Sequence, residues 1–164
     1  MITGGARSGK SSYAQRLALE RSDRPVYLAT SRVWDQEHRL RIERHRADRG
    51  SQWETVEEPK NLSRRDFRGR TVVVDCVTLW CTNFFYDFDS DVDRALDAVK
   101  SEFDRLAAQD ADFIFVTNEI GLGGVSTDPL QRRFTDLQGW VNQYIAQRAG
   151  SVVLMVSGIP IKVK

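Results

Sequence analysis

The chain has 164 residues, of which 41% are hydrophobic and 29% charged, and its formal net charge is +1. That balance excludes a disordered or low-complexity chain and leaves no global basic field for a nucleic-acid partner. No apolar run reaches the ~18–20 residues that a bilayer span needs. Two cysteines, Cys76 and Cys81, fit neither a zinc pattern nor a disulfide framework, so a reduced, cytoplasmic compartment is expected. The length predicts a single domain over residues 1–164 with one proper core.

The strongest local signal comes at the start. Gly4-Gly5-Ala6-Arg7-Ser8-Gly9-Lys10-Ser11 reads G-x-x-x-x-G-K-S, the phosphate-cradling P-loop. Glycines at both ends let the backbone approach an anion in conformations a Cβ would block. The N–H groups of the loop and of the following helix start then point at phosphates. Lys10 is placed to neutralise β/γ-phosphate charge, and Ser11 offers a hydroxyl to Mg²⁺. Residues 12–20 have helical character. Only Met1-Ile2-Thr3 precede the loop, which predicts a very short delivering strand.

Residues 26–30 form a buried-strand pattern whose end, Ala29-Thr30-Ser31, should open near the P-loop if the sheet is parallel. The charged stretch 35–48 carries i,i+4 pairs, Glu37 with Arg41 and Arg39 with Glu43, and predicts a helix. Arg41, His45 and Arg49 share one face of it, with His38 near. Two arginines flanking a histidine suit nucleotide phosphates, and nearby cations keep an imidazole neutral and nucleophilic. A solvated charged helix with two incidental histidines fits the same pattern. Residues 52–57 alternate as a short strand stopped by Pro59, and 61–70 are polar and loop-like with room for one helical turn. Thr71-Val72-Val73-Val74-Asp75 is an apolar strand ending in an acid, the form of a Walker B strand that delivers a carboxylate to a Mg²⁺ shell.

Trp80, Phe84, Phe85 and Tyr86 crowd seven positions, which points to core or subunit interface rather than base stacking. Residues 89–109 predict an amphipathic helix, with Val92, Leu96, Val99, Phe103 and Leu106 at three-to-four spacing. Residues 112–117 form another buried strand. Asn118-Glu119 closes it, Glu119 being a candidate base, metal-shell carboxylate or loop cap, before the flexible loop of Gly121-Leu122-Gly123-Gly124. Residues 129–148 predict a helix, 151–157 a strand, Gly158-Ile159-Pro160 a turn, and 161–163 a last short strand. Strands alternate with helices, so the expected fold is α/β, a P-loop NTPase (RecA-like) with a mainly parallel sheet and helices on both faces.

At this level of detail the chain resembles the bifunctional adenosylcobinamide kinase / adenosylcobinamide-phosphate guanylyltransferase family of cobalamin biosynthesis. The resemblance is carried by the P-loop, Tyr27-Leu28-Ala29-Thr30, Arg41-Ile42 with His45, and Trp53, Thr55 and Glu57. It continues through Asp75-Cys76, Thr78, Trp80 and Asn83, then Asn118-Glu119, Gly121 and Gly123. Arg133-Phe134, Asp136, Gly139, Asn142-Gln143 and the closing Ser157-Gly158-Ile159-Pro160 complete it. It spans nearly the whole chain in order. Ser126 stands where that family commonly has a proline.

The resemblance implies two reactions. A nucleoside triphosphate, ATP or GTP, phosphorylates the aminopropanol hydroxyl of adenosylcobinamide. GTP then donates GMP to that phosphate through a guanylylated histidine, whose position His45 occupies. It further implies guanine-nucleotide contacts at Arg46, Ala47, Asp48, Arg49, Glu57 and Asp75, a Mg²⁺ held by Ser11 and Asp75, and a homotrimer. No nucleic acid or membrane partner is expected. The competing readings are a monofunctional small-molecule kinase and a nucleotide-dependent switch protein that acts through partners.

Overall fold

The computed structural model describes residues 1–32, 36 and 50–164. The helix expected over 35–48 lies, apart from residue 36, outside the described residues, and so do Arg41, His45, Arg46, Ala47, Asp48 and Arg49.

Seven strands form one sheet. In chain order they are β1 (Ile2–Gly4), β2 (Val26–Ala29), β3 (Glu54–Glu57), β4 (Thr71–Asp75), β5 (Asp112–Val116), β6 (Val153–Val156) and β7 (Ile159–Lys162). The spatial order is β3-β2-β4-β5-β1-β6-β7. Every neighbouring pair is parallel except β6 with β7, which is antiparallel. The expected α/β architecture with a mainly parallel sheet is therefore what the chain forms.

The central strands show why. Val72 and Val74 of β4, with Phe115 of β5, face one core, while Val73 of β4 and Ile114 and Val116 of β5 face the other. A strand buried on both sides reads as an unbroken apolar run, as β4 does. The second face is covered by α1 (Lys10–Leu19), which packs Ala14 and Ala18, both fully buried, close to the strands. The first face carries α2 (Val77–Asp87), α3 (Val92–Ala107) and α4 (Pro129–Arg148). Helices thus lie on both faces.

Local chemistry sets the helix starts. The Asp91 side chain accepts a hydrogen bond from the Arg94 amide, and that of Asp128 accepts from Leu130 one residue after Pro129 opens α4. Residues 76–86 were read from the sequence only as core or interface, yet they form a helix. Seven of its eleven residues are apolar, which hides the 3.6 period. Trp80, Phe84 and Phe85 are buried there, and of the four aromatics only Tyr86 is exposed. The loop expected over 121–124 is a 3₁₀ turn, Ile120–Gly123. The C-terminal turn is made by Ser157 and Gly158, both with positive φ, and Ile159 and Pro160 belong to β7. Proline is tolerated in β7 because it is the sheet's edge.

Candidate active site

In a parallel sheet the carboxyl ends of the strands share one edge, and loops leaving that edge are where ligands bind. Here β1 ends at Gly4, β2 at Ala29, β4 at Asp75 and β5 at Val116, so the edge gathers the glycine-rich loop, Thr30, Asp75 and Asn118-Glu119.

The loop between β1 and α1 is built by two glycines that no other residue can replace. Gly4 has φ +148°, and a Cβ there would sit 2.5 Å from the Met155 carbonyl oxygen. Gly9 caps α1 at φ +92°, with Gly158 Cα only 3.3 Å from where its Cβ would be. Arg7 also has positive φ, at 57°, which tightens the turn between them. The loop is pinned from outside as well: the Gly158 amide donates to Ser8 O at 2.9 Å, and the Glu119 amide donates to Gly4 O at 3.1 Å.

Lys10 is the first residue of α1 and only 7% exposed. Its Nζ reaches back across the loop to the Gly5 carbonyl at 2.6 Å. Burial lowers its pKa, and the nearby Asp75 carboxylate opposes that shift. The Ser8 hydroxyl is buried and has no hydrogen-bond partner among the described residues. Ser11 follows Lys10 in the first turn of α1.

Asp75 is fixed from the side. The Tyr27 hydroxyl donates to Asp75 Oδ2 at 2.8 Å. The Thr30 hydroxyl donates to Cys76 O at 2.8 Å and accepts from the Cys76 amide at 2.9 Å. Asn83, 1% exposed, donates through Nδ2 to the carbonyls of Thr30 and Pro59, both at 2.7 Å. Cys76 caps α2 through its sulfur, and burial pushes its thiol up to about 12, so it is no nucleophile.

On the other side of the loop, Glu119 Oε1 accepts from the Thr3 hydroxyl at 2.6 Å and from Asn142 Nδ2 at 3.1 Å. Asn118 bonds Thr78 Oγ1 through its amide and side chain at 3.2 and 3.0 Å. The structure thus gathers Gly4, Gly5, Ala6, Arg7, Ser8, Gly9, Lys10 and Ser11 at one edge with Asp75. Ala29 and Thr30 reach that edge from β2; the Thr30 amide donates to Asp75 O and its hydroxyl to Cys76 O, while Ala29 O accepts from the Glu58 amide. Ser31 bonds the neighbouring Arg32 carbonyl. Glu57 ends the outermost strand, four strand spacings or about 19 Å from β1, and is exposed.

Tyr27, Thr3 and Gly158 support this edge without having been singled out for it. Tyr27 reads as an ordinary strand residue, and nothing local reveals a partner 48 positions away.

The fold and the edge together define an α/β protein with a glycine-rich loop, a buried lysine and two carboxylates at the carboxyl end of a parallel sheet. Comparison with known proteins makes this specific. The family model described as cobinamide kinase / cobinamide phosphate guanyltransferase matches residues 1–163. The chain is 40% identical over 169 residues to the bifunctional adenosylcobalamin biosynthesis protein CobP of Pseudomonas aeruginosa, covering all of this chain and 96% of that protein. It is 40% identical over 179 residues to the bifunctional adenosylcobalamin biosynthesis protein CobU of Escherichia coli, covering all of this chain and 98% of the relative. The chain belongs to the cobinamide kinase / cobinamide phosphate guanyltransferase family. It is an enzyme of cobalamin biosynthesis with kinase and guanyltransferase activities. No helix among the described residues is long and apolar enough to cross a membrane.

Proposed function

We propose that the chain is a RecA-like P-loop enzyme that transfers the γ-phosphate of ATP or GTP to the aminopropanol hydroxyl of adenosylcobinamide. It then moves GMP from GTP onto that phosphate by way of His45, giving adenosyl-GDP-cobinamide. The observation that carries the nucleotide site is the loop of residues 4–11. A buried ammonium lies across it and a buried hydroxyl, Ser8, has no partner among the described residues. Desolvated donors left without acceptors are costly in a resting fold, and a triphosphate supplies the acceptors. Lys10 exchanges its single carbonyl bond for phosphate oxygens, and the loop amides with the α1 start complete the cradle.

The oxygen donors Ser11 and Asp75 fit Mg²⁺. The Tyr27 bond occupies one Asp75 oxygen, and among the described residues no hydrogen bond takes the other. One carboxylate and one hydroxyl are a normal protein share for this ion, whose remaining positions go to phosphate and water. When bound, the ion supplies charge neutralisation on the phosphate oxygens.

In the second reaction a neutral His45 nitrogen attacks the α-phosphorus of GTP and pyrophosphate leaves. The cobinamide phosphate oxygen then attacks the same phosphorus and the imidazole departs. Two in-line steps replace one difficult transfer. Arg46, Ala47, Asp48, Arg49 and Glu57 contact the guanine nucleotide in this reading, and the enzyme works in the cytoplasm as a homotrimer. Support comes from the family model's match over residues 1–163.

The test is product analysis by mass spectrometry with adenosylcobinamide, Mg²⁺ and each nucleotide in turn. Either ATP or GTP should give adenosylcobinamide phosphate, and adenosyl-GDP-cobinamide should form only with GTP. Phosphate that accumulates with GTP present would reduce the chain to a kinase.

A further inference from the structure

Glu102 and Asp87 each use both carboxylate oxygens in structural bonds. Glu102, 3% exposed, accepts from the Ser63 amide at Oε1 and from Arg105 at Oε2. Asp87 binds Arg32 through both oxygens and Lys60 besides. Glu119 differs. Thr3 and Asn142 both donate to Oε1, and among the described residues nothing bonds Oε2. No ammonium or guanidinium group among them bonds Glu119 at all.

Its placement is nonetheless over-determined. Thr3 immediately precedes the glycine-rich loop, and the Glu119 amide donates to the first loop residue, Gly4. Asn142, 6% exposed on α4, is fixed in turn: its Oδ1 accepts from the Thr117 hydroxyl at 2.7 Å and from Gln138 Nε2 at 2.8 Å. Gln138 also donates to Thr117 Oγ1 at 2.9 Å, and Asn142 Nδ2 to Asn118 O at 3.0 Å. With Oδ1 taken by two donors, the amide can only present Nδ2 to Glu119. A buried network of this kind fixes one orientation of the group it ends on.

We propose that Glu119 is the residue that accepts the proton of the cobinamide hydroxyl in the kinase step, and that Asn142 is its positioning residue. The inference rests on the kinase reaction proposed above. The hydroxyl oxygen forms a bond to the γ-phosphorus while the bond from that phosphorus to the β,γ-bridging oxygen breaks, and the nucleoside diphosphate leaves with the electron pair. The hydroxyl proton passes to Glu119 Oε2 and then to water.

Glu119→Gln tests this, because the amide keeps an Oε1 acceptor for Thr3 and Asn142. Kinase kcat should fall by about 10²–10⁴-fold, while nucleotide binding and GMP labelling of the protein by GTP stay as in the wild type. Glu119→Asp should retain more turnover than Glu119→Gln. Asn142→Ala should lower kinase kcat by roughly tenfold without raising the nucleotide KM, which a loss of general packing would not do. Kinase turnover in Glu119→Gln within about threefold of wild type would overturn the assignment. So would loss of nucleotide binding in step with turnover, which would make Glu119 part of the nucleotide site. A wild-type protein that takes GMP label but never phosphorylates cobinamide would overturn the kinase reaction itself and this role with it.

Discussion

Lys10 closes its own loop: Nζ donates to the Gly5 carbonyl five residues back, at 2.6 Å. One carbonyl cannot satisfy three ammonium protons, and the side chain is buried. Burial lowers the folded-state pKa of Lys10 below its ordinary value. The unfolded chain then holds that proton more tightly, so the charged lysine costs stability at neutral pH, and the cost shrinks only as pH rises through the folded value. Lys10→Met should therefore raise Tm by about 2 °C while lowering kinase turnover by at least about 10²-fold. Calorimetry beside a kinase assay checks both halves.

The glycines of the loop separate into those that shape it and one that does not. A Cβ at Gly4 would collide with the Met155 backbone, and its φ of +148° suits glycine alone, whereas a Cβ at Gly5 meets nothing within 4 Å. Gly4→Ala should destabilise the fold by about 2–4 kcal/mol. Gly5→Ala should change stability by less than about 0.5 kcal/mol. Urea titration of the two variants reads the contrast.

Asn83 ties α2 to the ends of two loops through two 2.7 Å bonds from one amide nitrogen. Removing it strands two carbonyls, so Asn83→Ala should cost about 2–4 kcal/mol. Asn83→Asp should be worse at neutral pH, because a buried carboxylate would face two carbonyl oxygens. Mild acid should narrow the gap by protonating it. Thermal melts at two pH values distinguish the variants.

Asp87 receives Arg32 and Lys60, and these bonds hold its carboxyl well below the usual range. A depressed carboxylate contributes stability that is complete above its unfolded value of about 3.9 and is lost as pH falls through that value toward the folded one. Asp87→Asn should lower Tm by about 2–4 °C at pH 7, and the difference should shrink steadily below about pH 4.

Much of this fold was legible in the sequence because its central strands carry unbroken apolar runs and most helices carry a clear period. β4 and α4 were read with their observed bounds. The helix over Val77–Asp87 escaped because Trp80, Cys81, Phe84 and Phe85 leave too narrow a polar stripe to show a period. The loop was legible from its glycines and lysine alone. What holds Asp75 and Glu119 was not. Tyr27 reaches Asp75 across 48 positions, and Thr3 reaches Glu119 across 116. Such bonds are made by strand order, which local patterns do not encode.

The central claim is that this chain carries GMP on His45. The measurement is incubation with Mg²⁺ and GTP labelled at the α-phosphate, followed by denaturation and mapping of the label. The account predicts acid-labile, alkali-stable label on His45 that is absent from His45→Ala. A wild-type protein that binds GTP and Mg²⁺ but takes no label, or an equally labelled His45→Ala, would contradict it.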